Sequence, residues 1–371
     1  MKLAFLCNNI KSVNGVERVL TQRLSLLAES GNYQVYLITY NQYGAPFSFP
    51  ISDKVHFIDL STRYIARCSF HGLFQYLDRF FSKIKYYKAI RDCFNAIKPD
   101  VITCIDIHIA DLLAVLNLRI FAVKVVECHC GLSSCQNNSI IRTIRKFDRV
   151  VVMTDEEKND WNLGDKVICI PNMLINYPDE IPNRKNNFHR VICVGRYTNQ
   201  KGYDLLFAAW LIVQQKHPGW SLHIYGSHDG DLGDYDQLVE IKEKNQLHNV
   251  FLHPATNDVY SEYLKSDFSV MSSRYESFGL ALIEAMSCGL PVVAFGCKYG
   301  PRSIVNDGET GILVQPSNAQ KLAQSICYMI EHADERIRMG QKARTAVLTY
   351  KAERVMSIWH HFYQSVLCAN A

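Results

Sequence analysis

The pattern of apolar and polar positions divides the chain into two successive series of the same kind. Short apolar runs predict buried strands at residues 3–7, 35–39, 55–60, 101–104, 122–126, 150–154 and 167–170. Helical periodicity fills residues 16–29, where Val19, Leu20, Leu24 and Leu27 share one side, and again 110–115. Strands alternating with helices predict a parallel α/β sheet. The pattern then lapses over 174–189, a polar, proline-containing stretch without either hydrophobic period, which reads as a linker. A second series restarts at 190–196 and continues with strands at 221–225, 249–252, 268–271 and 291–295, then a turn and a last short strand over 308–314. Helical patterns at 319–329 and 331–348 follow, and an aromatic-heavy one at 351–367 carries Val355, Ile358, Trp359, Phe362, Tyr363 and Leu367. The expected organisation is a first domain over 1–175, a linker over 176–188, a second domain over 189–350, and a final helix over 351–371 that crosses back to the first domain.

The most informative stretch follows the predicted strand 268–271. Glu276-Ser277-Phe278-Gly279-Leu280 reads as a loop opening a short helix, which Gly289-Leu290-Pro291 stops before the next strand. A loop at the carboxyl end of a strand is where open α/β sheets bind ligands. Ser277 is expected to cap the helix, so that free N–H groups and a positive dipole end meet an anion there. Glu276 and Glu284 flank this anion site, and carboxylates beside an anion call for another purpose. Gly195-Arg196 ends the first strand of the second series, and Lys201-Gly202 follows at a predicted helix start. An arginine and a lysine beside a helix N-terminus suit a diphosphate. The two glutamates are then available as acceptors for hydroxyls on either side of it, a hexose and a ribose. A diphosphate between two hydroxyl-bearing groups is a nucleotide sugar.

The remaining chemistry is thinner. Gly15, between the first strand and first helix, lets backbone approach a ligand, but one glycine is not the G-x-G-x-x-G dinucleotide signature, and a plain tight turn uses it equally well. Cys128, His129, Cys130 and Cys135 invite a zinc reading, which fails because Cys-x-Cys is not structural-zinc spacing and no second ligand pair follows. His129 stands out instead as a group at the carboxyl end of a strand.

Composition narrows the class. The 371 residues are 48% apolar and 20% charged, an ordinary globular balance large enough for two cores. A net charge of +4 does not argue for nucleic acid. The 13 cysteines are an odd number, and many sit in apolar runs, as expected of reduced core residues in a cytosolic enzyme. No cleavable signal opens the chain, and no run approaches the roughly 18 apolar residues of a membrane span. Over 63–98, Arg63, Arg67, Arg79, Lys83, Lys85, Lys88, Arg91 and Lys98 are opposed only by Asp78 and Asp92 and interleaved with aromatic residues. Such a segment fits an anionic lipid surface or acceptor, and equally a helix with a solvated basic face.

With these residues in view, the chain resembles the retaining, two-Rossmann-domain glycosyltransferases of family 4. Glu276 to Glu284 matches their E-x7-E motif. The likeness also runs through Asn14-Gly15-Val16-Glu17-Arg18, Ile170-Pro171-Asn172, Gly195-Arg196 with Lys201-Gly202, Ile224-Tyr225-Gly226, Gly289-Leu290-Pro291-Val292-Val293 and Asp307-Gly308-Glu309-Thr310-Gly311. It implies a GT-B fold, two Rossmann-like domains facing each other across a deep cleft. It implies a hexosyl or N-acetylhexosaminyl transfer from a nucleotide diphosphate sugar, UDP-sugar favoured, to a saccharide or lipid-linked saccharide in cell-surface polysaccharide or lipopolysaccharide synthesis, with no metal or other cofactor.

By the same resemblance His129, Arg196, Lys201 and Glu276 form the catalytic group. Gly15, Asn172, Gly195, Gly226, Ser277, Phe278, Gly279, Leu280 and Glu284 complete the donor site. Asn14 stands where the family usually has the first of two glycines, and Ser227-His228-Asp229 replaces its common Gly-Asp-Gly. The alternatives are a nucleotide-sugar epimerase of the same fold and a non-catalytic binding or membrane-scaffold protein.

Overall fold

In the computed structural model the described residues are 1–12, 14–62, 73–105, 107–132, 137–182, 188–228 and 232–368. They fall into two compact units, Met1–Ile170 with Met356–Ala371, and Pro171–Val355. The final helix, Ala352–Cys368, therefore starts in the second unit and ends in the first.

The first unit is built on β1 (Lys2–Cys7), β2 (Gln34–Thr39), β3 (His56–Asp59), β4 (Val101–Cys104), β5 (Val123–Glu127), β6 (Arg149–Val152) and β7 (Val167–Cys169). They pair in parallel in the order β3-β2-β1-β4-β5-β6-β7. The order reverses direction at β1, which has β2 on one side and β4 on the other. β1 and β4 are buried almost throughout, as their unbroken apolar runs require of a sheet covered on both faces. Leu6, Ile38, Ile102, Val126 and Val150 pack against Tyr86, Ile90 and Phe94 of helix Leu73–Ile97.

The second unit repeats the plan with β8 (Arg190–Val194), β9 (Ser221–Gly226), β10 (Val250–Pro254), β11 (Phe268–Met271), β12 (Val292–Phe295) and β13 (Gly311–Val314). Their parallel order is β10-β9-β8-β11-β12-β13, so the switch point lies between β8 and β11. Leu206, Phe207, Trp210 and Val213 of helix Tyr203–Lys216 join Leu322 and Ile326 of helix Ala319–Glu331 on one core.

The expected helix over 331–348 begins later than its periodicity suggests. His332 interrupts the chain in a non-helical conformation, and the helix runs from Ala333 to Ala346. Short polar helices left no readable period, among them Asn138–Ile144 and Asp155–Trp161. The second carried a cap signal all the same, because the Thr154 side chain accepts from the Glu157 N–H at 3.3 Å.

At the β9–β10 edge, His223 and His253 stack at 5.2 Å, with Nδ1 of one 2.9 Å from Nε2 of the other. Burial, then Arg190 and the partner ring, lower His223 to about 4, and burial and Arg190 lower His253 too. A histidine held neutral in the fold stabilises fully above its unfolded value of about 6.5 and less as pH falls toward the folded value. The urea midpoint is accordingly expected to drop between pH 7.5 and pH 5, and His223→Gln to flatten that slope. An equal slope in the variant would assign the loss to other groups.

Candidate active site

The loops after β8 and β11 leave the sheet on either side of the switch point, where an open parallel sheet has its crevice. The sequence places Gly195-Arg196 in the first loop and Ser272 to Gly279 in the second, and side chains lock the two together. Lys201 lies in a single 3₁₀ turn, Asn199–Lys201, ahead of helix Tyr203–Lys216. Its Nζ donates to Glu276 Oε1 at 2.6 Å, and Ser273 Oγ donates to the same oxygen at 2.7 Å. The Lys201 carbonyl accepts from Ser272 Oγ at 2.8 Å.

Arg274 makes a two-point ion pair with Asp204 at 2.9 and 2.7 Å and donates to the Asn199 carbonyl at 2.7 Å. Ser273 and the Arg274–Asp204 pair have no counterpart among the expected residues. The Arg274–Asp204 pair links positions 70 apart in sequence, and nothing local signals that.

Two groups in this frame retain bonding capacity. Among the described residues, Glu276 Oε2 has no hydrogen-bond partner, although the carboxylate is 8% exposed. The Arg196 guanidinium, half-buried directly after Gly195, has no ion pair or hydrogen bond among them either. A held cation, a second cation without a partner, and a carboxylate with one free oxygen suit a ligand with both negative charge and hydroxyls.

Gly195 and Gly226 bring the backbones of β8 and β9 close beside Arg196. A Cβ on Gly226 would stand 2.1 Å from the Gly195 carbonyl oxygen. Gly226→Ala is expected to displace Gly195-Arg196, costing about 1–3 kcal/mol of stability as overpacking does, and to raise the donor KM. Unchanged melting and KM would show the loop free to yield. Tyr203, fully buried, donates to the Gly195 carbonyl at 2.7 Å from behind.

One expectation about this loop is corrected. Ser277 does not cap the following helix, which runs from Leu280 to Ser287 with Gly279 at the N-cap. Gly279 has φ +101°, a backbone region closed to the helix, and so the first turn starts two residues later, at Leu280. Glu276 is also engaged in a bridge with Tyr299, which holds the chain extended there. Phe278 is buried and meets the Tyr350 ring edge-on at 5.3 Å. Glu284 lies within the helix and is buried. Cys193 and Cys297 are close by, but burial pushes both thiols up to about 12, so neither offers a thiolate nucleophile.

The other expected residues lie elsewhere. Asn172 sits at the start of the second unit, half-buried. Gly15 opens helix Gly15–Glu29 in the first unit, where Asn14 Nδ2 donates to Glu17 Oε1 at 3.3 Å. His129 follows β5, also in the first unit. Its Nε2 is 3.1 Å from Glu127 Oε2, and Glu127 is in turn paired with Arg23 at 2.9 and 2.8 Å. Neither partner was readable as a site residue. The loop beyond His129 is anchored by Leu132, whose N–H donates to Glu157 Oε1 at 2.9 Å, and burial pushes that carboxyl up to about 7. Cys135, Asp229 and residues 63–72 of the basic segment lie outside the described residues.

Residues 179–346, inside the second unit and spanning this frame, match the family model described as Glycosyl transferases group 1. The chain is a glycosyltransferase. The enzyme is 28% identical over 376 residues to the amylovoran biosynthesis glycosyltransferase AmsD of Erwinia amylovora, covering 97% of this chain and 98% of that one. Its fold is similar to sucrose-phosphate synthase from Thermosynechococcus elongatus, with a TM-score of 0.82, 19% identity and 99% of both chains covered. It is also similar to Anabaena HepE in complex with UDP and glucose, at a TM-score of 0.74, 18% identity and 99% of both chains. The enzyme's two parallel-sheet units are those of the GT-B fold.

Proposed function

We propose that the enzyme transfers a hexosyl or N-acetylhexosaminyl group from a UDP-sugar to a saccharide or lipid-linked saccharide, with retention at the anomeric carbon, in cell-surface polysaccharide synthesis. The observation that carries this reading is the frame of Lys201, Glu276 and Arg196 at the switch point of the second unit. Lys201 and Arg196 meet the diphosphate, and Glu276 Oε2 accepts from a hydroxyl of the donor sugar. Glu284 takes the ribose hydroxyls, and His129 meets the reacting sugar. The similarity to AmsD supports a polysaccharide product, and that to HepE, bound to UDP and glucose, supports the donor.

The bond from the anomeric carbon to the diphosphate oxygen breaks, and the acceptor hydroxyl bonds to that carbon from the same face. The departing diphosphate oxygen accepts the hydroxyl proton. Charge builds up on the diphosphate, and Lys201, held beforehand by Glu276, stabilises it together with the Arg196 guanidinium. In this scheme they fill the place a divalent metal would otherwise take. On the first unit, Phe81 and Ile84 are exposed beside Lys83, Lys85, Lys88 and Arg91, which supports contact with anionic lipid that bears the acceptor. No helix among the described residues is long and apolar enough to cross a membrane.

A thermal-shift screen of UDP-, GDP- and ADP-sugars tests the donor. A UDP-hexose is expected to raise the midpoint most, since a ligand bound only by the folded state stabilises it in proportion to affinity. A larger rise with a GDP- or ADP-sugar would overturn the UDP assignment. NMR of the product glycoside tests the stereochemistry, and an inverted anomer would overturn retention. UDP release that is indifferent to any acceptor would favour an epimerase or hydrolase instead.

A further inference from the structure

Glu127 is the last residue of β5 and is fully buried, and Arg23 of helix Gly15–Glu29 is 4% exposed. The two meet in a two-point pair at 2.9 and 2.8 Å. Burial alone would raise the Glu127 carboxyl, but Arg23 and then His129 outweigh it and hold the group below its ordinary value. Glu127 is therefore an ionised acceptor and cannot donate. The contact of 3.1 Å between Glu127 Oε2 and His129 Nε2 then has one direction, with Nε2–H donating to the carboxylate. This places a proton on Nε2.

Arg23 is itself seated from behind by the end of the final helix. The Trp359 ring lies 4.2 Å from the guanidinium carbon, and Tyr363 stacks on Trp359 at 5.6 Å. Tyr33 meets Tyr363 edge-on at 5.7 Å, and its hydroxyl is 2.9 Å from His360 Nδ1. A buried ion pair is a weak source of net stability compared with apolar packing, so its presence beside a histidine after a sheet strand asks for a role.

We infer that Glu127, held by Arg23, is a positioning residue that sets His129 in its Nε2–H tautomer and in one ring orientation for the transfer reaction. The catalytic part rests on the reading that His129 serves that reaction. The orientation itself depends only on the geometry above. Part of the His129 side chain, 14%, stays exposed, while the Nε2 edge meets Glu127 and Nδ1 is buried. A misplacement of about 1 Å in such a group costs on the order of 10²-fold in rate.

The test uses the full chain with ¹⁵N-labelled histidine. Arg23→Met/Glu127→Leu replaces the pair by apolar groups, an exchange that buried pairs tolerate, and removes the acceptor. Arg23→Met/Glu127→Gln restores a carbonyl acceptor without the charge. In the wild type the His129 nitrogens are expected to report the Nε2–H tautomer. In the leucine variant they are expected to shift toward Nδ1–H or a mixture, with kcat down about 10-fold or more and the donor KM little changed. In the glutamine variant both readouts should recover in part.

Activity is measured with the nucleotide sugar that raises the thermal midpoint most. An unchanged tautomer in the leucine variant overturns the inference, as does a glutamine variant no better than leucine. His129→Ala separates the underlying reading: wild-type kcat there removes His129 from the reaction, while the nitrogen signals still decide whether Glu127 orients it.

Discussion

Lys201→Ala is expected to lower kcat on the order of 10²-fold or more, the usual cost of removing one preorganised donor from developing charge. The ammonium group is held along the length of its side chain. Its carbonyl is bound by Ser272, its stem passes over Gly195, and its Nζ donates to Glu276 at 2.6 Å. The side chain is 15% exposed, so little of its position depends on solvent. Before the donor arrives, the charge is already placed, and the protein need not reorganise when the diphosphate departs. The variant also leaves Glu276 with Ser273 as its one remaining side-chain donor among the described residues, which loosens the carboxylate proposed for the sugar hydroxyl. Single-turnover measurement at saturating UDP-sugar separates the rate from binding. A rate near wild type would sink the assignment of Lys201.

Glu127→Ala is expected to be the most destabilising of the substitutions considered, by about 3–5 kcal/mol. The loss comes less from the missing attraction than from Arg23, left buried and charged without its carboxylate. For a unit of this size that is a fall in Tm on the order of 10 °C.

Its pH dependence has a defined sign. Because the folded-state pKa of Glu127 lies below the ordinary value of 4.5, the pair stabilises the fold above that pH and loses its effect as pH falls through the folded value. The gap between wild type and Glu127→Ala should therefore narrow in acid. Thermal melts of both proteins at pH 7 and at pH 3.5 check this, and a gap that widens in acid would show that Glu127 is not ionised in the fold. The Arg23→Met/Glu127→Leu protein should melt well above Glu127→Ala, since it strands no charge.

The sequence by itself determined the two α/β series, most of their strands and the neighbourhood of the site. Apolar runs such as 101–104 and 268–271 are buried strands because a parallel sheet covered on both faces admits nothing else, and their edges coincide with the observed ones. Glu276, Arg196 and Lys201 were legible because each sits at a strand end or a helix start, which local pattern marks.

Helix starts were read less well. Ser277 looked like a cap, yet Gly279 at positive φ and the bridge from Glu276 to Tyr299 delay the helix to Leu280. Tertiary structure alone decided the partners. Arg23 with Glu127 spans 104 positions, Lys201 with Glu276 spans 75, and Arg274 with Asp204 spans 70. Periodicity reports which face of an element is buried. It carries no record of which two buried charges, brought from different elements by the strand order, will neutralise each other, and that pairing fixes where His129 and Lys201 point.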